Sequence, residues 1–225
     1  MEVIFEDNHI IAINKSVADI VQVDKTGDLS LEEKLKQYIK EKYNKPGEVF
    51  LGVIHRIDRP VSGVVLFAKT SKALTRFNQM FQDKKIKKTY WAIVKEKPLN
   101  ETDTLTHFLV RDNNKNKTYA SDKEISNSKK AVLTYKIIDR SDNFYLLEID
   151  LQTGRHHQIR CQLAKIGCPV KGDLKYGFPR SNDDGGICLH ARSIEFEHPV
   201  THEQVKITAN LPENNLWTFF SKRNK

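Results

Sequence analysis

Apolar and polar residues alternate along this chain in short, distinct segments. Val3, Ile4 and Phe5 form one apolar run and residues 9–13 (His-Ile-Ile-Ala-Ile) another, with the turn-formers Glu6, Asp7 and Asn8 between them, which predicts two strands. Ser30-Leu31-Glu32-Glu33 has the capping-box pattern, and Leu31, Leu35, Tyr38 and Ile39 then share one helical face up to the stop at Lys45-Pro46-Gly47. Residues 64–68 (Val-Val-Leu-Phe-Ala) predict a strand buried on both faces. Ser71 is placed to cap a second helix, with Leu74, Phe77 and Phe81 on one side. After the lysine-rich run at 84–88, Tyr90, Ala92 and Val94 alternate as in a strand. Residues 100–130 are polar and predict an exposed loop or hairpin region. Strands are predicted at 134–138 and 144–151, and a short helix through Ile159, Leu163 and Ile166 that Gly167 and Pro169 end. A last strand is predicted at 187–191, and a packed tail through Leu216, Trp217 and Phe220. Strands with scattered helices, without regular alternation, predict an α+β fold.

The length, 225 residues, suits one large domain or two small ones. Basic residues outnumber acidic ones 37 to 29, a net charge of +8, which points towards a polyanionic partner such as nucleic acid. No segment approaches the roughly 20 apolar residues of a membrane span. The N-terminal residues lack the layout of a signal peptide, and three cysteines make no disulfide framework, so a reducing, cytoplasmic compartment is expected. Cys161, Cys168 and Cys188 have no zinc-type spacing to one another or to the histidines, so no metal site is expected. Walker, dinucleotide-binding and Gly-x-Ser-x-Gly motifs are absent.

The chemistry concentrates in two segments. In residues 55–63 (His-Arg-Ile-Asp-Arg-Pro-Val-Ser-Gly), Asp58 stands between Arg56 and Arg59, just ahead of the buried run. Nearby cations favour an ionised, aimed carboxylate, although the same residues also fit a solvated turn with an incidental ion pair. In residues 153–160 (Thr-Gly-Arg-His-His-Gln-Ile-Arg), Arg155 and Arg160 surround Gln158 at a helix start. That arrangement suits an anion, or else Arg160 faces solvent while Arg155 pairs with a structural acid. The run Lys84, Lys85, Lys87 and Lys88 reads either as a solvated helix end or as a contact to a nucleic-acid backbone, and Arg111, Lys115 and Lys117 lie in the polar region that follows.

In their order along the chain, these motifs resemble those of RluA-type pseudouridine synthases. Residues 55–68 are similar to the catalytic motif, 6–15 to the opening strands, 88–94 to the tyrosine motif and 153–160 to the arginine motif. Residues 167–173, Tyr176-Gly177, Leu189-His190-Ala191 and His198-Pro199 extend the match. The resemblance implies a single catalytic domain over 1–225, with a long, bent, mixed and mostly antiparallel sheet, flanking helices and a central cleft. It implies isomerisation of uridine to pseudouridine in structured ribosomal or transfer RNA, without cofactor or metal. The oligomeric state is left open by the sequence, with a monomer as the default. Asp58 would be the catalytic carboxylate, Arg155 its partner, and Tyr90 the aromatic face against the flipped uracil. Arg56 would enter the RNA where the target base leaves. His55, Arg59, Lys84, Lys85, Lys87, Lys88, Arg111, Lys115, Lys117, Gln158 and Arg160 are the further expected RNA or substrate contacts. Val61 stands where many members have Thr, and Cys161-Gln162 replaces a pair that often ends in His. Since the sequence opens on catalytic-domain strands, no small N-terminal RNA-binding module is expected. The rival classes are an inactive RNA-binding relative and a base-excising glycosidase, though the latter typically needs two carboxylates.

Overall fold

The computed structural model describes residues 1–23 and 27–224. They divide into two compact units, each drawing on two stretches of chain: residues 1–86 with 191–210, and residues 87–190 with the C-terminal segment from Leu211.

In the first unit, the uninterrupted apolar runs become central strands. β2 (Ile10–Lys15) and β4 (Ser62–Ala68) are buried almost throughout, the pattern of strands covered on both faces. They pair antiparallel, with Ile13 opposite Val65 and Lys15 opposite Gly63. β1 (Glu2–Glu6) lies outside β2, and the two-residue β3 (Gly52–Val53) pairs with the far end of β4. β10 (Leu189–Glu197) adjoins β4 and carries β11 (Gln204–Thr208).

α1 (Leu31–Lys42) begins at the predicted capping box: Glu33 N–H donates to the Ser30 hydroxyl, and the Glu33 carboxylate accepts from Ser30 N–H. Its Leu31, Leu35 and Ile39 pack with Ile11, Ile13, Val65 and Phe67. α2 (Ser71–Gln82) is capped by Thr70, one residue earlier than predicted, and buries Ala73 and Phe77. Phe77 meets Phe196 edge to face, with ring centroids 5.0 Å apart.

The second unit is an antiparallel sheet in the order β5 (Lys87–Val94), β9 (Tyr145–Leu151), β8 (Lys129–Arg140), β6 (Thr102–Asp112), β7 (Lys117–Ser121). The polar region at 100–130 is therefore mostly strand. β6 buries Leu105, His107 and Leu109 on alternate positions, and β6 and β7 form a hairpin. Against the buried face lies α3 (Gln158–Lys165), where Cys161 packs with Leu109, Ala131 and Tyr176. α4 (Asn215–Arg223) buries Trp217 and Phe220, as the apolar tail predicts. Among the described residues, no helix is long and apolar enough to cross a membrane.

Candidate active site

Asp58 belongs to the first unit, on the loop that leads into β4. Its carbonyl accepts from Val61 N–H at 3.0 Å, closing a turn over Arg59 and Pro60. That turn is fixed from below by Lys15 at the end of β2. The Lys15 side chain is 1% exposed, and Nζ donates to the carbonyls of Ser16 (2.9 Å), Arg59 (2.9 Å) and Val61 (2.7 Å). Burial pulls the Lys15 ammonium down to about 8, while Asp19 and Asp58 favour its charge. Lys15 thus holds the turn that follows Asp58, a contact that periodicity and spacing did not single out. Its only signal was a lysine closing an otherwise apolar strand.

The neighbours of Asp58 divide by role. Ile57 packs against the α1-side core. His55 Nε2 accepts from Leu66 N–H at 3.1 Å, and its ring lies 5.8 Å from Phe81, which makes His55 a brace on β4. Arg56 is exposed and donates to Gln22 at 3.4 Å. Arg59 pairs with Asp28 at 2.6 Å, with both side chains well exposed.

Tyr90 and Arg155 belong to the second unit. Tyr90 lies opposite Ile149 on β5 and is 9% exposed. Two residues earlier, Lys88 is half-buried; burial lowers its pKa and Asp150 partly offsets that. Arg155 is exposed on the loop between β9 and α3, and its Nε donates to the Lys130 carbonyl at 3.3 Å. Gln158 builds that loop: its Oε1 accepts from Arg155 N–H (3.0 Å) and from the Thr153 hydroxyl (2.8 Å), and its Nε2 donates to the Val132 carbonyl (3.1 Å).

The structure corrects two expected contacts. Gln158 is 3% exposed and Arg160 4% exposed, so both work inside the unit rather than on RNA. Arg160 takes both carboxylate oxygens of buried Asp173, at 2.6 and 2.9 Å. It thereby ties α3 to the 3-10 turn Leu174–Tyr176 that follows Asp173. Its partner lies thirteen positions away in the sequence, which hid this role from local reading.

Of the remaining expected contacts, Lys84, Lys85, Lys87, Arg111 and Lys115 are exposed and Lys117 is half-buried. The lysine run is not one helix end: α2 stops at Gln82, Lys84 has a φ of 56°, and Lys87 already lies in β5. Gln162 is fully buried and donates to the carbonyls of Leu105 and Ala131 and to His107 Nδ1, so it braces β6 and β8. All three cysteines are buried, and burial pushes the Cys161 and Cys168 thiols up to about 11.

These motifs match known proteins. Residues 9–165 match the family model described as RNA pseudouridylate synthase. The chain is 30% identical to an uncharacterized RNA pseudouridine synthase of Bacillus subtilis, YlyB, over 95% of this chain and 70% of that protein. It is 32% identical to a ribosomal large subunit pseudouridine synthase C of Rickettsia typhi, over 93% of this chain and 67% of that one. It is 30% identical to a ribosomal large subunit pseudouridine synthase D of Zymomonas mobilis, over 95% and 70%. In fold it is similar to human RNA pseudouridylate synthase domain containing 4, with a TM-score of 0.80 at 22% identity over 99% of this chain and 93% of that chain. The fold is thus the α+β pseudouridine synthase fold, and the chain belongs to the RNA pseudouridylate synthase family.

Proposed function

We propose that this chain converts specific uridines of ribosomal RNA to pseudouridine, with Asp58 as the catalytic carboxylate and the two units acting as one catalytic domain. The observation that carries the substrate is the similarity, over more than nine-tenths of the chain, to proteins named as ribosomal large subunit pseudouridine synthases. Support for Asp58 comes from its setting. It sits on a loop whose following turn is pinned by buried Lys15, with Arg56 and Arg59 on either side of it in the sequence.

In the reaction, the bond between uracil N1 and ribose C1′ breaks, the base turns, and a bond forms between C5 and C1′. The proton on C5 leaves and N1 gains one. Atoms and oxidation state are conserved, so neither a redox cofactor nor a group carrier is required. The target base must first leave its stack, at a cost of a few kcal/mol. Arg56, exposed beside Asp58, fills the gap that it leaves. In this reading Tyr90 offers an aromatic face to the uracil, and Arg155 is the cation that orients the Asp58 carboxylate. Two routes satisfy these roles, attack by Asp58 on the nucleotide or proton abstraction by it, and both need the carboxylate ionised. The reaction belongs to the cytoplasm, where ribosomal RNA is made in bacteria such as the organisms of the similar proteins, and one chain suffices for it.

The test is a pseudouridine map of ribosomal RNA from cells with and without the protein. Loss at one or a few positions is the expected result. An unchanged ribosomal map with losses in transfer RNA would move the substrate. Free uracil released in vitro would mark a glycosidase instead.

A further inference from the structure

We propose that the β6–β7 hairpin carries a docking surface for single-stranded RNA, built around Tyr119 as a stacking platform and Lys117 as its phosphate contact. This rests on the reading above that the chain acts on RNA.

Tyr119 is 46% exposed although it lies within β7, opposite Val110 of β6. A single open ring is ordinary on a surface, and what distinguishes this one is the cation held against it. Lys117, two residues earlier, is held beside it: its ammonium stands 5.5 Å from the Tyr119 ring centroid and 5.2 Å from that of Tyr176. The platform is rigid. Thr118 N–H donates to the Tyr176 hydroxyl at 2.9 Å, the Thr118 hydroxyl and His156 Nδ1 are 2.8 Å apart, and Lys175 Nζ donates to the Asn116 carbonyl at 3.0 Å. The contact to His156 ties the hairpin to the residue next to Arg155.

The charge at this tip is one-sided. Between residues 111 and 119 the cations are Arg111, Lys115 and Lys117, and Lys175 joins them from the 3-10 turn. The one carboxylate in that stretch, Asp112, accepts from Lys115 N–H at 3.0 Å. Arg111 lies opposite Thr118, on the other face of the hairpin, but Lys117 stands beside the Tyr119 ring and Lys115 and Lys175 flank the turn at Asn116. An open aromatic face with cations at its edge suits an unstacked base with its phosphate, and suits neither an acid-poor apolar peptide nor a closed RNA duplex, whose bases are already stacked.

The test measures binding of a short fluorescein-labelled oligouridylate to the full chain by anisotropy. Tyr119→Ala should weaken binding by about fivefold or more, and Tyr119→Phe should stay within about twofold of the parent. Lys117→Ala should flatten the dependence of log K on log salt by about 0.7. Binding by Tyr119→Ala within about twofold of the parent overturns the surface, and so does an equal loss in Tyr119→Phe, which would point to the hydroxyl. Tritium release from RNA labelled at uracil C5 separates this inference from the function. Release with Tyr119-independent binding sinks the surface alone. Tyr119-dependent binding without release from any RNA sinks the isomerisation alone.

Discussion

Gly63 shows how closely the chain behind Asp58 is specified. Its φ is 117°, and a Cβ there would lie 2.3 Å from the Ala191 carbonyl oxygen, a backbone atom that cannot swing aside. Gly63→Ala should therefore destabilise the protein by about 3 kcal/mol or more, read as a lowered midpoint in urea at unchanged slope. A variant within about 0.5 kcal/mol of the parent would mean that β4 and β10 can move apart freely. Asp58 drew attention in the sequence because its flanking arginines are adjacent in the chain. Lys15, which holds the turn after Asp58, was hidden because its acceptors are carbonyls of residues 59 and 61, and backbone acceptors leave no mark on a sequence.

At the scale of elements, ion pairs link segments that the apolar pattern alone does not join. Glu6, at the end of β1, receives hydrogen bonds from Lys42 (2.7 Å) and Tyr43 (2.9 Å) at the end of α1 and from Lys69 (2.8 Å) after β4. Burial would raise the Glu6 carboxyl, but these donors outweigh it and hold it at about 2, against an ordinary 4.5. Because the folded value lies below the unfolded one, this stabilisation is complete above about pH 4.5 and disappears as the pH falls towards 2. With solvent screening at exposed Lys42, it amounts to about 1–2 kcal/mol. Glu6→Gln should be less stable than the parent at pH 7 and converge with it near pH 2; a constant gap across that range would show that the charge is not what matters. In the second unit, Asp173→Ala removes the carboxylate that accepts two hydrogen bonds from Arg160 in the interior. It should cost about 3–5 kcal/mol in denaturant titrations, and Arg160→Met with Asp173→Leu should recover much of that. If the double change is as costly as the single one, packing rather than charge governs the joint.

The helices and central strands were legible because each has one unambiguous pattern: the capping box of α1, the apolar run of β4, the alternation in β5 and β9. β6 and β7 were less so. Phe108 and Val110 interrupt the alternation of Leu105, His107 and Leu109, and the outer face of this hairpin is polar or half-exposed.

At the scale of the whole molecule, the proposed function draws Asp58 and Arg56 from the first unit and Tyr90 and Arg155 from the second. Within the arginine motif, the sequence could not divide outward from inward residues. Arg155 stands outward on its loop, while Gln158 and Arg160 are turned inward to hold that loop and α3 in place. Uridine as substrate came from family resemblance, since no charge pattern distinguishes one nucleobase from another. The most direct test of the central claim follows tritium from RNA labelled at uracil C5, incubated with the parent protein and with Asp58→Asn. The account predicts release by the parent with the RNA chain intact, and none above background by Asp58→Asn, which still folds and binds the RNA. Turnover retained in Asp58→Asn, or no release by the parent from any cellular RNA, would contradict it.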